Sequence, residues 1–485
     1  MKFQPGAGPR FRRSLLFMAA GWLWALSTEP TSLGSPLEAQ IDSVLRRSYP
    51  SNGPGAAVIV VQRGKTLLRK GFGLADLEHG TPVVPDDIFR VGSITKEFTA
   101  VSILQLVTAG KLHLDDEITH YVPDFPTHGQ RITLAHLLTH TSGIRNYTAD
   151  AGFRALPLQD LSLAQILAFI KDKPPNFAPG SHWAYCNTGY VLLGAVIEKV
   201  SGQSYEAYLQ DHVFKAAGLT HTFYGNARKA TPGEIPGYSR TLDKKWTKAV
   251  YLNATQAFSA GALLSTVDDL RQWEQALAEG RVVRPDLLAL ARSPARFAGG
   301  REQAGYGLGW ELGYIDGQPS AGHGGTISGF RTYEVSVPSL GLYIAILCNS
   351  DRPPADPEQV AEQISRLAAD EIPLRLGASA ARRYAGVYRS SPTRDTTVTV
   401  EDGQVLLEPP GLTPRLLRQI SPGIFIDPES SDWYAFRQDP TGQMRSVEIR
   451  PRSGGAMVLP RLAKPLGARL LAIDAEASDR TSYGK

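Results

Sequence analysis

The spacing of apolar and polar positions changes period several times along this chain, and each change marks an element. From about Leu37 to Arg47 apolar residues recur at helical spacing on a short amphipathic segment. The stretch "GAAVIVVQRGKTLLRKGFG" then reads as a β-hairpin, an apolar run and a mixed run around a Gly-centred turn. From "FRVGSITKEFTAVSILQL" onward, Phe98, Val101, Leu104 (or Gln105) and Thr108 share a helical face, Ile94 precedes them and Gly110 stops the run. That spacing predicts a long buried helix with Ser93 in its first turn and Lys96 one turn on, on the same side.

Further along, "RITLAHLLTHTSGI" opens as a helix that breaks at Gly143, and "SLAQILAFIKDKPPNFAPG" is a helix ended by prolines. "SHWAYCNTGYVLLGAVIEKVSG" passes from an aromatic loop into an apolar helix from about Thr188 to Val200. "GALLSTVDDLRQWEQALAEG" carries a Ser265/Thr266 cap and acidic first-turn residues Asp268 and Asp269. "GYGLGWELGY" and "GHGGTISGFRTYEVSVPSLGLYIAILCNS" alternate or run apolar between glycines, as antiparallel strands do. Strands at both ends of this region with helices between them predict an α+β domain over residues 37–370. Short alternating runs from Tyr384 to Leu459 predict a small all-β barrel or sandwich over 380–462, followed by a loosely ordered tail, 463–485.

With 485 residues there is room for one large and one small domain, and 42% hydrophobic with 20% charged residues is a globular, soluble balance. The first 27 residues read as a secretory signal peptide: Lys2, Arg10, Arg12 and Arg13, an apolar run from Leu15 to Leu26, then small residues Ala25 and Ser27, with a later cleavage site near Ala39 as the alternative. Cleavage after Ser27 leaves 47 basic residues, equal to the acidic count, which disfavours a nucleic-acid partner. The expectation is a periplasmic or secreted protein with no membrane anchor after cleavage. Cys186 and Cys348 read as free buried thiols, since two cysteines make no disulfide framework.

Three patterns carry candidate chemistry, and each has a plain structural reading. Ser93 and Lys96 pair a hydroxyl with an amine where an extended segment meets a helix, or else form a cap beside a solvated lysine; a second Ser-x-x-Lys, Ser482 to Lys485, lies in the polar tail. Tyr185 and Asn187 lie in the loop "NFAPGSHWAYCNTGY" ahead of an apolar helix, while Tyr-x-Asn recurs at Tyr224 and Tyr251. A phenol can relay a proton and an amide can fix a carbonyl; a buried Tyr with a satisfied hydroxyl is the bland alternative. In "GHGGTISGF", His323 leads Gly324 and Gly325, with Thr326 after them, either a tight turn or a strand edge that comes close to a ligand and offers an oxyanion N–H.

Taken in order, with "HLLTHTSGI", "SAGALLSTVDDL" and "YGLGW" between them, these motifs resemble the serine β-lactamase and penicillin-binding-protein superfamily, nearest to its class C-like branch, over about Leu37 to Asp370. The resemblance implies a helical subdomain on an antiparallel sheet sandwich with the site between them. It also implies Ser93 as acylated nucleophile, Lys96 as base, Tyr185 as proton relay, Asn187 on the acyl side, and His323, Gly324 and Gly325 in place of a Lys-Thr-Gly triplet. The N–H groups of Ser93 and Thr326 would form the oxyanion hole. No cofactor or metal is implied. Where penicillin-recognising members carry a lysine for the substrate carboxylate, this chain has His323, so esters, amides or D-amino-acid peptides are favoured over β-lactams. A true β-lactamase or D-Ala-D-Ala carboxypeptidase is the nearer alternative, and a non-catalytic periplasmic binder or sensor the more distant one. No Gly-x-Ser-x-Gly elbow exists, and His136 and His140 in "HLLTH" lack the Glu of a zinc motif.

Overall fold

A computed structural model describes residues 36–462, apart from 155–158, 226–230, 298–299, 301, 304, 316–317, 371–380, 392–393, 402–403, 411–413, 422, 428–429, 431, 440 and 451–456. The leader and the tail expected from the sequence lie outside the described residues. Helix α1 is Pro36–Ser48, and the hairpin follows as β1 (Ala56–Gln62) and β2 (Lys65–Phe72). Its two-residue turn holds Arg63 at φ 50° and Gly64 at φ 79°, the left-handed pair that matches the twist of a tight hairpin.

The long helix is α2 (Thr95–Thr108), the apolar helix after the aromatic loop is α3 (Asn187–Ser201), and the capped helix is α4 (Val267–Ala278), with Thr266 Oγ1 accepting the Asp269 N–H. Two predicted helices are shorter than their sequence patterns: Leu134–Leu138 stops well before Gly143, and Leu163–Ala168 covers one end of its segment. In the first, His140 takes a left-handed φ of 59° that no helix continues through.

Four further strands are β3 (Glu311–Ile315), β4 (Gln318–Ile327), β5 (Phe330–Val337) and β6 (Leu342–Cys348), and α5 is Pro357–Asp370. One antiparallel sheet takes the order β3-β4-β5-β6-β1-β2, so the amino-terminal hairpin completes a sheet begun near the other end of the domain. The central strands are apolar on both sides because both sides are covered. Ala57, Ile59, Tyr343, Ala345 and Leu347 face α2, α3 and α4, while Val58, Val60, Ile344 and Ile346 face α1 and α5. Helix α2 is consequently buried on nearly every side and not on one stripe alone.

The carboxy-terminal part is an eight-stranded antiparallel meander from β7 (Gly386–Ser391) to β14 (Met457–Pro460) with its own core around Tyr384, Phe425 and Phe436. It closes on itself: Leu462 N–H donates to Val387 O at 2.8 Å, and Tyr388 bridges Arg461. Tyr314 at the end of β3 stacks on Trp433 of this barrel with ring centroids 4.5 Å apart. Among the described residues no helix is long and apolar enough to cross a membrane.

Candidate active site

The turn that presents Ser93 is held from two sides before α2 begins. Val91 N–H donates to Leu263 O at 3.0 Å, and Val91 O accepts Thr332 Oγ1 of β5 at 3.0 Å. Gly92, at φ 53°, opens a short 3-10 turn, Gly92–Ile94, that feeds α2. A side chain at Gly92 would bring its Cβ to 3.0 Å from Thr326 N, so glycine is what allows β4 to lie against the turn. Ser93 caps neither helix. Its Oγ lies 2.9 Å from Lys96 Nζ and accepts the Tyr185 hydroxyl at 2.7 Å.

Lys96 is fully buried, donates to Ala260 O at 2.6 Å, and lies 4.9 Å from the centre of the Tyr185 ring. Burial lowers its pKa to about 7, against a smaller opposing pull from Glu311. Burial also pushes the Tyr185 phenol well above its ordinary range, opposed by the bond to Ser93. The two groups are driven apart in the useful sense: as pH rises through about 7 an amine with a free lone pair comes to face the serine hydroxyl, while the phenol keeps its proton. Tyr185 is steadied by His140, whose ring packs against it at 4.4 Å, tilted by 45°, and whose Nδ1 accepts the Cys186 N–H at 3.2 Å. His136 Nδ1 accepts the Thr133 N–H in a capping box, so both histidines of "HLLTH" serve the backbone.

Asn187 begins α3 and donates through Nδ2 to Thr148 Oγ1 at 3.2 Å. On the opposite wall, Gly325 is the point of closest approach: a Cβ there would sit 2.1 Å from Val91 O and 2.1 Å from Thr332 Oγ1. Gly324 has no such need, its nearest neighbour being Glu311 Oε2 at 3.7 Å. His323 requires a correction. The sequence reading places it among the substrate-binding residues, in the position of the family's lysine, but its ring is fully buried, with Nε2 2.9 Å from the Tyr306 hydroxyl and Nδ1 2.6 Å from Gly324 O. Burial holds its pKa down at about 3, so the imidazole is neutral and lines neither part of the cleft.

The cleft has two lobes that meet at Ser93, Asn187 and Thr326. One, of about 100 Å³, is walled by Tyr147, Phe153, Leu252 and Ile327. The other, of about 370 Å³, is walled by Trp183, Tyr185, Glu311, Arg331, Tyr333 and Glu358. Sequence reasoning missed Glu311, although it lies within the quoted "YGLGWELGY"; its Oε2 accepts the Gly324 N–H at 3.1 Å. It missed Arg331 as well, whose place opposite Thr326 follows from strand pairing alone.

A helical layer lies against an antiparallel sheet, and a Ser-Lys-Tyr cluster sits in the cleft between them, an arrangement suited to a serine nucleophile. The sequence matches the Beta-lactamase family over residues 47–369, and the chain belongs to that family. Esterase EstB of Burkholderia gladioli is 31% identical over 374 residues, 67% of this chain and 93% of the esterase. D-aminopeptidase of Gluconobacter oxydans (strain 621H) is 29% identical over 322 residues, 66% of this chain and 59% of that protein. The chain spans about three fifths of the length of some of its curated relatives. Among solved structures, the octameric penicillin-binding protein homologue from Pyrococcus abyssi aligns with a TM-score of 0.59 at 25% identity, covering 87% of this chain and 99% of that one.

Proposed function

We propose that this chain is an exported serine hydrolase that cleaves esters, amides or D-amino-acid-type peptides through a Ser93 acyl-enzyme, with little turnover of β-lactams. The observation that carries this reading is the position of Ser93 Oγ, 2.9 Å from a buried lysine and 2.7 Å from a half-buried phenol. Lys96 takes the Ser93 proton as Oγ bonds to the acyl carbon, and the oxyanion meets the N–H groups of Ser93 and Thr326. The proton then passes through Tyr185 to the leaving group as its bond to the acyl carbon breaks, and water releases the acid by the reverse relay. A nucleophile with its base and relay intact is of no use to a pure binder, which argues against a sensor without catalysis.

The relatives named for esterase and D-aminopeptidase activity support the ester and amide end of the range. The neutral, buried His323 supports the same choice, because it leaves the cleft without the lysine charge that would meet a β-lactam carboxylate. Export rests on the leader composition. The test is a panel of short-chain aryl esters, D-amino-acid anilides and a chromogenic cephalosporin at neutral pH, with the mature amino terminus read by mass spectrometry of secreted protein. Ester or anilide turnover far above cephalosporin turnover is expected; fast cephalosporin hydrolysis would overturn the substrate assignment.

A further inference from the structure

The two lobes differ in charge, and the position of Tyr185 assigns them to the two halves of a substrate. Tyr185 lines the 370 Å³ lobe and is absent from the lining of the 100 Å³ lobe. The leaving group collects its proton through that phenol, so it occupies the larger lobe and the acyl chain the smaller, apolar one.

The larger lobe brings three carboxyl groups, Glu311, Asp356 and Glu358, against one guanidinium, Arg331. Arg331 is already engaged, with Nη2 2.8 Å from Asp356 Oδ2 and Nη1 donating to Thr326 Oγ1 at 2.8 Å. Above about pH 7 the neighbouring bases bring little positive charge, since burial lowers the Lys96 pKa to about 7 and that of His323 to about 3. Glu311 is the carboxylate best placed to act. Its side chain is 41% exposed to the lobe, one oxygen is fixed by the Gly324 N–H, and the other lies 3.6 Å from His323 Nδ1, whose hydrogen bond goes to Gly324 O. Burial raises the Glu311 pKa and the Gly324 N–H works against that rise, so a carboxyl group anchored by backbone and partly open to the lobe is a preorganised partner for a cation that favours its charged form.

Resting on the serine hydrolase reading, we propose that Glu311, supported by Glu358, selects substrates whose leaving group is positively charged: esters of amino or quaternary ammonium alcohols, and amides of diamines, on an apolar acyl group. In the reaction Ser93 Oγ bonds to the acyl carbon and the C–O bond to the alcohol breaks. The alcohol oxygen takes the proton relayed from Lys96 through Tyr185, and water cleaves the acyl-enzyme. The same lobe disfavours leaving groups that end in a carboxylate, the terminal residue of a peptide among them.

The test compares kcat/KM, at about pH 8 and low salt, for three butyrate esters: butyrylcholine, its neutral isostere 3,3-dimethylbutyl butyrate, and the anionic ester of 3-hydroxypropanoate. The expected order is cationic, neutral, anionic, with about tenfold at each step, shrinking in high salt. In Glu311→Gln the cationic advantage over the neutral ester falls to within about threefold, and Glu358→Gln reduces it less. The ratio is the readout because any effect of Glu311 on Lys96 acts on all three esters alike. Equal rates for the cationic and neutral esters overturn the inference, and so does a preference for the anionic ester, which would assign the lobe to Arg331. If either result comes with Ser93 labelled by a fluorophosphonate, the hydrolase reading survives without this refinement. Absence of both turnover and labelling removes the two together.

Discussion

Gly325→Ala tests how tightly catalysis depends on the contact between β4 and the serine turn. The added Cβ would lie 2.1 Å from Val91 O and 2.1 Å from Thr332 Oγ1, so reaching even a tight 3.0 Å contact needs about 0.9 Å of movement. Neither neighbour yields easily: Val91 is tied to Leu263 and to Thr332, and Thr332 is a central-strand residue with 1% exposure. The strand moves instead, and it carries the Thr326 N–H away from the oxyanion position. A displacement near 1 Å or the loss of one oxyanion donor costs about 10²- to 10³-fold in kcat, equivalent to roughly 3–4 kcal/mol. Gly324→Ala, whose Cβ meets nothing closer than 3.7 Å, is expected to cost less than about tenfold. The assay is steady-state hydrolysis of an aryl butyrate beside the rate of fluorophosphonate labelling, with thermal unfolding to separate misfolding from misplacement. A Gly325→Ala enzyme that unfolds at a normal temperature and keeps kcat within about threefold of the parent would refute the close-approach argument.

The proposed role of Lys96 as base requires it to lose its proton first, and burial lowers its pKa to about 7, so kcat/KM should rise with pH through a single ionisation near 7. A flat profile from pH 6 to pH 8 would contradict the assignment of Lys96 as base. Cys186 and Cys348 are both buried and free, so a thiol reagent should find no reactive cysteine in the folded protein and two after denaturation; fewer than two would reveal a disulfide. Residues lining both lobes lie between Gly92 and Glu358, so Trp433→Ala should lower the unfolding temperature, by removing a large buried ring worth about 3–5 kcal/mol, yet leave kcat on small esters within about twofold. A tenfold loss of kcat would mean that the barrel reaches the chemistry.

The hairpin, α2, α3 and α4 were legible because their apolar periods and cap residues are local signals that the tertiary fold did not override. The helix in "TLAHLLTHTSGI" was read too long, since the pattern does not reveal that His140 turns left-handed and packs against Tyr185. At the site, Ser93, Lys96 and Tyr185 stood out as residue types with a chemical use. Glu311 did not, because its role comes from strand pairing: residue 311 opposes Gly322, and only that register brings the carboxylate to the Gly324 N–H. His323 was misjudged for the same reason. A histidine before two glycines looks accessible in sequence, yet its ring is enclosed once Tyr306 and β5 lie against it.

Intact-mass analysis after exposure to a fluorophosphonate, for the parent enzyme and Ser93→Ala side by side, tests the central claim most directly. One phosphonyl adduct on the parent, forming faster as pH rises through about 7 and absent from the alanine variant, is the predicted result. An adduct that persists in Ser93→Ala, or a parent protein that never reacts, would contradict the assignment of Ser93 as the nucleophile.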